Sequence, residues 1–183
     1  ERVPGEAAWR CVSKQSAEQQ KRRFEFFVSR KALNMDGLGK KTIAHLVDHG
    51  LLHTPDDLFT LAEGDFLSLP GFAEKSARLS MAAIQKSKQT TLERLLVALS
   101  IPHIGEEVAR VLASHYQNIN ALRNAKEEHI AHIHGLGEVI AQSVTAWFKN
   151  TDNKAMLDRL LKHLTIAPMP KKKSARGILN GKT

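Results

Sequence analysis

Four copies of one five-residue pattern constrain this chain more than any other feature. They read Met35-Asp36-Gly37-Leu38-Gly39, Leu69-Pro70-Gly71-Phe72-Ala73, Ile101-Pro102-His103-Ile104-Gly105 and Ile133-His134-Gly135-Leu136-Gly137, at spacings of 34, 32 and 32 residues. Each lies between apolar stretches of helical period, and four residues beyond its last position stands Ile43, Ala77, Ala109 or Ala141. A glycine-rich turn opening a helix lets another group approach the backbone and leaves the first helical N–H groups pointing outward. Those donors, together with the helix dipole, attract phosphate. A mostly small residue one turn later lets the two helices pack closely. One such turn arises easily by chance; four in near-constant register mark an array.

These residues resemble the helix-hairpin-helix motif, a DNA-backbone-binding element whose copies usually pair into one compact unit. The expected fold is therefore all-α, with tandem helix-hairpin-helix repeats and four hairpins in two paired units. The expected segments are residues 1–17 as an irregular lead-in, 18–97 as the first pair, 98–166 as the second, and 167–183 as a basic linker. The copies are unequal. The first is complete and is followed by Lys40 and Lys41; the second has Ala73 in place of its last glycine. The third has His103 in place of the first glycine, then Glu106 and Glu107; the fourth is complete but followed by Glu138. The candidate DNA-binding residues are Gly37, Gly39, Lys40, Lys41, Gly71, Lys75, Gly105, Gly135 and Gly137. Acids at a helix N-terminus stabilise that helix through its dipole, which accounts for Glu106 and Glu107 without any ligand.

Charge placement matters more here than the net charge of +8. Residues 167–183 hold Lys171, Lys172, Lys173, Arg176 and Lys182 and no acid, which leaves 22 basic and 19 acidic residues in the body. A body of only +3 must bind DNA through local placement of cations and N–H groups, not through a bulk field. The single cysteine, Cys11, excludes an internal disulfide and suits a reducing compartment. No apolar run approaches the roughly 20 residues of a membrane span, and no signal-peptide layout is present. The chain starts at Glu1 and reads as a piece of something longer.

Helices are expected from about Ala17 to Ala32, from Lys40 to His49 with Gly50 as C-cap, and from Glu74 to Lys88. Thr54 reads as an N-cap with Pro55 at the first helical position, opening short helices to Leu61 and from Glu63 to Leu69. The scheme repeats from Thr91 to Leu99, through His115, across Asn118–Asn124 and Lys126–Ile133, to Lys149, and from Asp152 to His163. No strand is expected before residue 166. Lys21, Arg22, Arg23 and Arg30 on the first helix form either a solvated face or a flank lying against DNA.

Several chemical readings fail on residue type. In Asn34-Met35-Asp36-Gly37, a nucleotidyltransferase would need lysine at Asn34, whose amide cannot attack an adenylate. Asp56 and Asp57, beside Pro55, read as helix-start acids and not as a glycosylase aspartate. His45 and His49 share a helix face, but Leu46 stands where a zincin has glutamate; His129, His132 and His134 have no ligand spacing. Phe72, Trp147 and Phe148 read as core.

Gly5-Glu6-Ala7-Ala8-Trp9-Arg10-Cys11, Gln19, and Phe26-Val28-Ser29-Arg30-Lys31-Ala32-Leu33 resemble the bacterial NAD-dependent DNA ligases. So do Asp36-Gly37-Leu38-Gly39, Glu74-Lys75-Ser76-Ala77, and Leu96-Ala98-Leu99-Ser100-Ile101 with Ile104-Gly105-Glu106. The resemblance runs over residues 1–166 and implies that residues 1–17 are the remnant of a zinc-finger segment; Gly181-Lys182-Thr183 resembles the start of that family's BRCT domain, toward which the linker 167–183 would lead. It implies a parent enzyme that takes AMP from NAD with Mg, transfers it to the 5′-phosphate of a nick, and seals the nick in replication and repair. The present segment would clamp nicked duplex DNA through phosphates, beside the rest of the ligase chain, in the bacterial cytoplasm at the nucleoid. No cofactor is expected on the segment itself. Cys11 matches the third zinc ligand of the family, but Ser16 stands at the fourth and the first two would precede Glu1, so no zinc is expected. Competing classes are a protein-interaction scaffold built from degenerate hairpins and a self-sufficient repair enzyme; salt-dependent DNA binding separates the first of these from the clamp.

Overall fold

A computed structural model describes residues 16–168. The first half contains α1 (Ala17–Val28), α2 (Lys40–Asp48), a 3-10 turn (Pro55–Phe59), α3 (Glu63–Leu67) and α4 (Glu74–Ser87). After β1 (Gln89–Thr91) come α5 (Leu92–Ala98), α6 (Glu106–Tyr116), α7 (Ile119–Arg123), α8 (Glu127–Ala131), α9 (Glu138–Lys149), α10 (Thr151–Leu160) and β2 (Thr165–Ala167). Four hairpins result: α1–α2, α3–α4, α5–α6 and α8–α9. In each half a short helical segment, the 3-10 turn or α7, links one hairpin to the next.

Local chemistry sets the helix ends. The Ser16 hydroxyl accepts from the Gln19 N–H at 3.2 Å, so this residue, expected at a lost zinc position, starts α1. Thr91, Asn118 and Asn150 cap α5, α7 and α10 through bonds from the N–H groups of Arg94, Ala121 and Asn153. Gly50, at φ +70°, closes α2 as expected: Gly50 N–H donates to Val47 O and Leu51 N–H to Leu46 O. The Asp57 carboxylate accepts from the N–H groups of both His53 and Thr54, each at 2.8 Å, and so works as a cap.

Three expectations need correction. Helix α1 stops at Val28, because Ser29 turns extended (ψ 163°) and the chain folds back, with Leu33 N–H on Phe27 O and Met35 N–H on Val28 O. Ala32 and Leu33 continue the apolar period because they enter the same core, not because the helix continues. Second, β1 and β2 form a parallel pair, with Thr90 opposite Ile166. Three-residue strands carry too little period to be seen in a sequence. Third, the role of Asp56 is not confined to the helix start. The residue is buried and receives Nε of Arg159 at 2.7 Å, across 103 residues.

The two halves share one core, in which Leu58 and Phe66 of the first half and Leu95, Leu96, Leu112 and Ile130 of the second are fully buried. Polar ties reinforce it. The Arg94 guanidinium on α5 donates to the backbone carbonyls of Ala32 and Arg30, and Phe59 stacks on His163 with ring centroids 5.7 Å apart. A boundary at residue 97 would cut α5, the first helix of the third hairpin, which begins at Leu92. Cys11 and the lysine run from Lys171, with the segments that contain them, lie outside the described residues.

Candidate nucleic-acid interface

The four pattern copies adopt one geometry. The third residue of each has positive φ: +92° at Gly37, +78° at Gly71, +65° at His103 and +85° at Gly135. The fourth residue donates its N–H to the carbonyl of the first, from Leu38 to Met35, Phe72 to Leu69, Ile104 to Ile101 and Leu136 to Ile133, at 2.9–3.2 Å. Pro70 and Pro102 occupy the second position, where a fixed φ suits a type II turn closed by a positive-φ residue. The fifth residue is the extended N-cap of the following helix, and its carbonyl accepts from Ile43, Ala77, Ala109 or Ala141. Those four side chains are fully buried at the helix crossings.

This geometry separates the two glycines of each copy. The first is required by its dihedral. The second is not: φ is −80° at Gly39, −94° at Gly105 and −112° at Gly137, ordinary values for any residue. A Cβ at these three positions would meet nothing within 4 Å. Ala73 at the same place in copy two, at φ −120°, shows that the turn accepts a side chain. Glycine at the other three leaves the outer surface of the turn without a side chain.

The helix N-termini differ in what they offer. No side chain caps α2, α6 or α9, so their first N–H groups have no intrahelical acceptor and face outward. At α4 the Ala73 N–H donates to Ser76 Oγ at 2.9 Å, which takes up one of the donors. Lys40 and Lys41 are exposed at the start of α2 and Lys75 at the start of α4, none with an ion pair among the described residues. By contrast Lys21 is paired with Asp48, Arg78 with Glu63, and Arg123 with Asp158. The hydrogen bond to Asp48 raises the Lys21 pKa above its ordinary value.

At copy three, Glu106 pairs with Lys31 at 3.0 Å and Glu107 with Arg110 at 2.9 Å. Glu107 and Glu93 together raise the Arg110 pKa. The two acids are thus partly neutralised, Glu107 by its i,i+3 neighbour on α6 and Glu106 by a lysine whose placement no sequence spacing announces. Arg22, Arg23 and Arg30 of the basic helix and its exit are exposed on the first hairpin, with Phe26 exposed among them. The groove under that hairpin is lined by Arg30, Asp36, Gly37, Gly39 and Lys40. Gly37 lies against α4, where an added Cβ would stand 3.9 Å from the buried Ser80 Oγ, so the first turn is seated on the second hairpin.

The histidine clusters do not assemble. His49 Nδ1 donates to His45 O and His132 Nδ1 to Glu128 O, and no group of three or more metal-ligating side chains is present among the described residues. Phe148 is buried and Phe72 and Trp147 pack against the core, as expected. No helix among the described residues is long and apolar enough to cross a membrane.

Comparison with known proteins agrees with this geometry. Residues 29–86 match the model of a SAM-like helix-hairpin-helix tandem, and residues 94–157 match that of the helix-hairpin-helix motif. The chain is 41% identical over 159 residues to the DNA ligase of Anoxybacillus flavithermus, covering 87% of this chain and 24% of that protein. It is 39% identical over 160 residues to the DNA ligase of Syntrophobacter fumaroxidans, with 87% and 24% covered. Against the DNA ligase of Syntrophus aciditrophicus it is 34% identical over 182 residues, covering 100% of this chain and 27% of that protein. The chain thus spans about a quarter of the length of the curated relatives it matches. Residues 29–86 and 94–157 are tandem helix-hairpin-helix units, similar in sequence to one segment of these DNA ligases.

Proposed function

We propose that the chain is the duplex-DNA-clamping segment of an NAD-dependent DNA ligase, and that it holds the backbone near a nick without reading sequence. The observation that carries this reading is the second glycine of copies one, three and four. The fold does not require it, its Cβ direction is open, and it stands where uncapped helix N–H groups face outward. A DNA phosphate is a group that needs such an approach and gains from such donors. Lys40, Lys41 and Lys75, with no ion pair among the described residues, would supply countercharge. Gly37, Gly71 and Gly135 shape the turns, and Gly39, Gly105 and Gly137 take the phosphates.

The NAD chemistry does not fit the described residues. Asn34 adopts φ +52° at the close of the turn that follows α1, a left-handed position that asparagine suits, and its amide supplies no nucleophile for an adenylate. NAD, Mg and nick sealing belong to the rest of such an enzyme, acting in the cytoplasm on the nucleoid. The 183-residue chain alone is expected to release no AMP from NAD and to join no nicked duplex; either product, measured with the pure chain, would sink this division of labour.

The direct test is titration of a labelled duplex against salt, with two glycine variants. Gly39→Leu is expected to weaken binding more than Gly105→Leu, because Lys40 and Lys41 flank the first and Glu106 and Glu107 the second. Neither position has positive φ, so both variants should be within about 1 kcal/mol of the parent in stability. If Gly105→Leu proves the costlier for binding, copy three faces the DNA more closely than copy one.

A further inference from the structure

His103 is out of place in its turn. Among the described residues the non-glycine positions with positive φ are Asn34, Ser100, His103 and Gln117. Ser100 and Gln117 stand where the chain leaves a helix, with the backbone N–H bonded to Val97 O and Ala113 O, and helix termination accounts for them. Asn34 closes the turn that follows α1, its N–H bonded to Ser29 O, and asparagine is a residue that adopts this conformation readily. His103 ends no helix. It occupies the turn position that is glycine in the three sister copies, at φ +65° where a Cβ is disfavoured. Its side chain is exposed and makes no hydrogen bond, ion pair or ring contact to any described residue. Nothing described within the chain offsets the unfavourable backbone, and strain that local packing does not account for points to function.

The side chain stands two residues before Gly105, at the outer surface of a turn whose helix begins with Glu106 and Glu107 in place of lysines. Those acids are tied to Lys31 and Arg110, which leaves the imidazole as the donor side chain within this turn. From this we infer that His103 is a DNA-binding residue that donates an N–H to a backbone phosphate at the third hairpin, doing there what Lys40 and Lys41 do at the first. The inference rests on the DNA-clamp reading above. It adds a side-chain contact to the Gly105 turn of the third hairpin, where the acids alone would argue against one.

The test uses the full chain, a labelled intact duplex of mixed sequence, and the variants His103→Gly and His103→Lys. His103→Gly relieves the backbone and is expected to raise the melting temperature by roughly 1–3 °C. The same variant should lose about 3- to 10-fold in duplex affinity at fixed salt. Opposite signs in stability and binding are what a purely structural residue would not give. His103→Lys keeps the strained backbone and returns a donor, so it should bind within about 2-fold of the parent. Salt-dependent binding by the parent, with His103→Gly equally tight, overturns the role of His103 and leaves the clamp intact. Loss in both variants overturns the phosphate assignment. Absence of salt-dependent binding by the parent removes the clamp reading and this inference together.

Discussion

Reversal of both Lys40 and Lys41 to glutamate is expected to weaken duplex binding by roughly 30- to 100-fold at low salt, across all sequences alike. The parent chain, if its hairpins engage about four phosphates, should lose about 100-fold between 50 and 200 mM salt, and the double variant should show a log–log slope shallower by about 2. The effect on folding should run the other way. Cations in the first turn of a helix oppose its dipole, and acids there favour it. Lys40 and Lys41 have no ion pair among the described residues, so α2 gains nothing visible from them and should be slightly more stable in the charge-reversed variant. Melting curves and salt titrations on the same samples check both halves. A double variant that binds as tightly as the parent would show that the first hairpin does not face DNA, whatever its glycines allow.

The part of this molecule legible in the sequence is the part governed by local rules. The turn pattern, the Gly50 cap, the Thr54–Pro55 helix start and the short connectors all follow from residue types a few positions apart, and all are present. The role of each glycine is less legible. The sequence shows two glycines in the complete copies, but only dihedrals separate Gly37, needed for its positive φ, from Gly39, whose φ any residue could adopt. His103 reads in sequence as a lost glycine. The signal available is that a turn of this shape tolerates a side chain there only at a cost, which makes the exposed histidine a choice in need of a reason.

What cannot be read is whatever spans the chain. β1 finds β2 from Thr90 to Ile166, and each strand is too short to announce itself. Lys31 reaches Glu106 and Arg94 reaches the carbonyls of Arg30 and Ala32, so the halves are fixed to each other by charged groups that look like ordinary surface residues in sequence. Periodicity reports which face of a helix is buried, not which distant partner a lysine or arginine meets.

The longest-range ion pair among the described residues yields the strongest stability prediction. Asp56 is 11% exposed at its side chain and Arg159 44% exposed. Burial pushes the Asp56 carboxyl up, but hydrogen bonds from Arg159, the Thr54 hydroxyl and its own backbone N–H, aided by the Arg159 charge, outweigh it and hold its pKa below the ordinary carboxylate value. Removing one partner is therefore asymmetric. Arg159→Ala strands a buried carboxylate and is expected to cost roughly 2–3 kcal/mol near neutral pH, whereas Asp56→Ala leaves an arginine that can turn to water and should cost roughly 1–2 kcal/mol. The double variant should cost less than the two together, because the stranded charge is gone. The pH dependence has a definite sign. A depressed carboxylate contributes stability that is present above its unfolded pKa of about 3.9 and is lost as pH falls through the lower folded value. In Arg159→Ala burial remains while the largest lowering influence is gone, so that pKa rises above its value in the parent, the carboxyl takes up a proton more readily and the deficit against the parent should shrink as pH falls from 7 toward the carboxylate range. Denaturant melts of the parent and three variants across that range measure it. A deficit that stays constant with pH would mean that the packing of the Arg159 stem matters more than its charge.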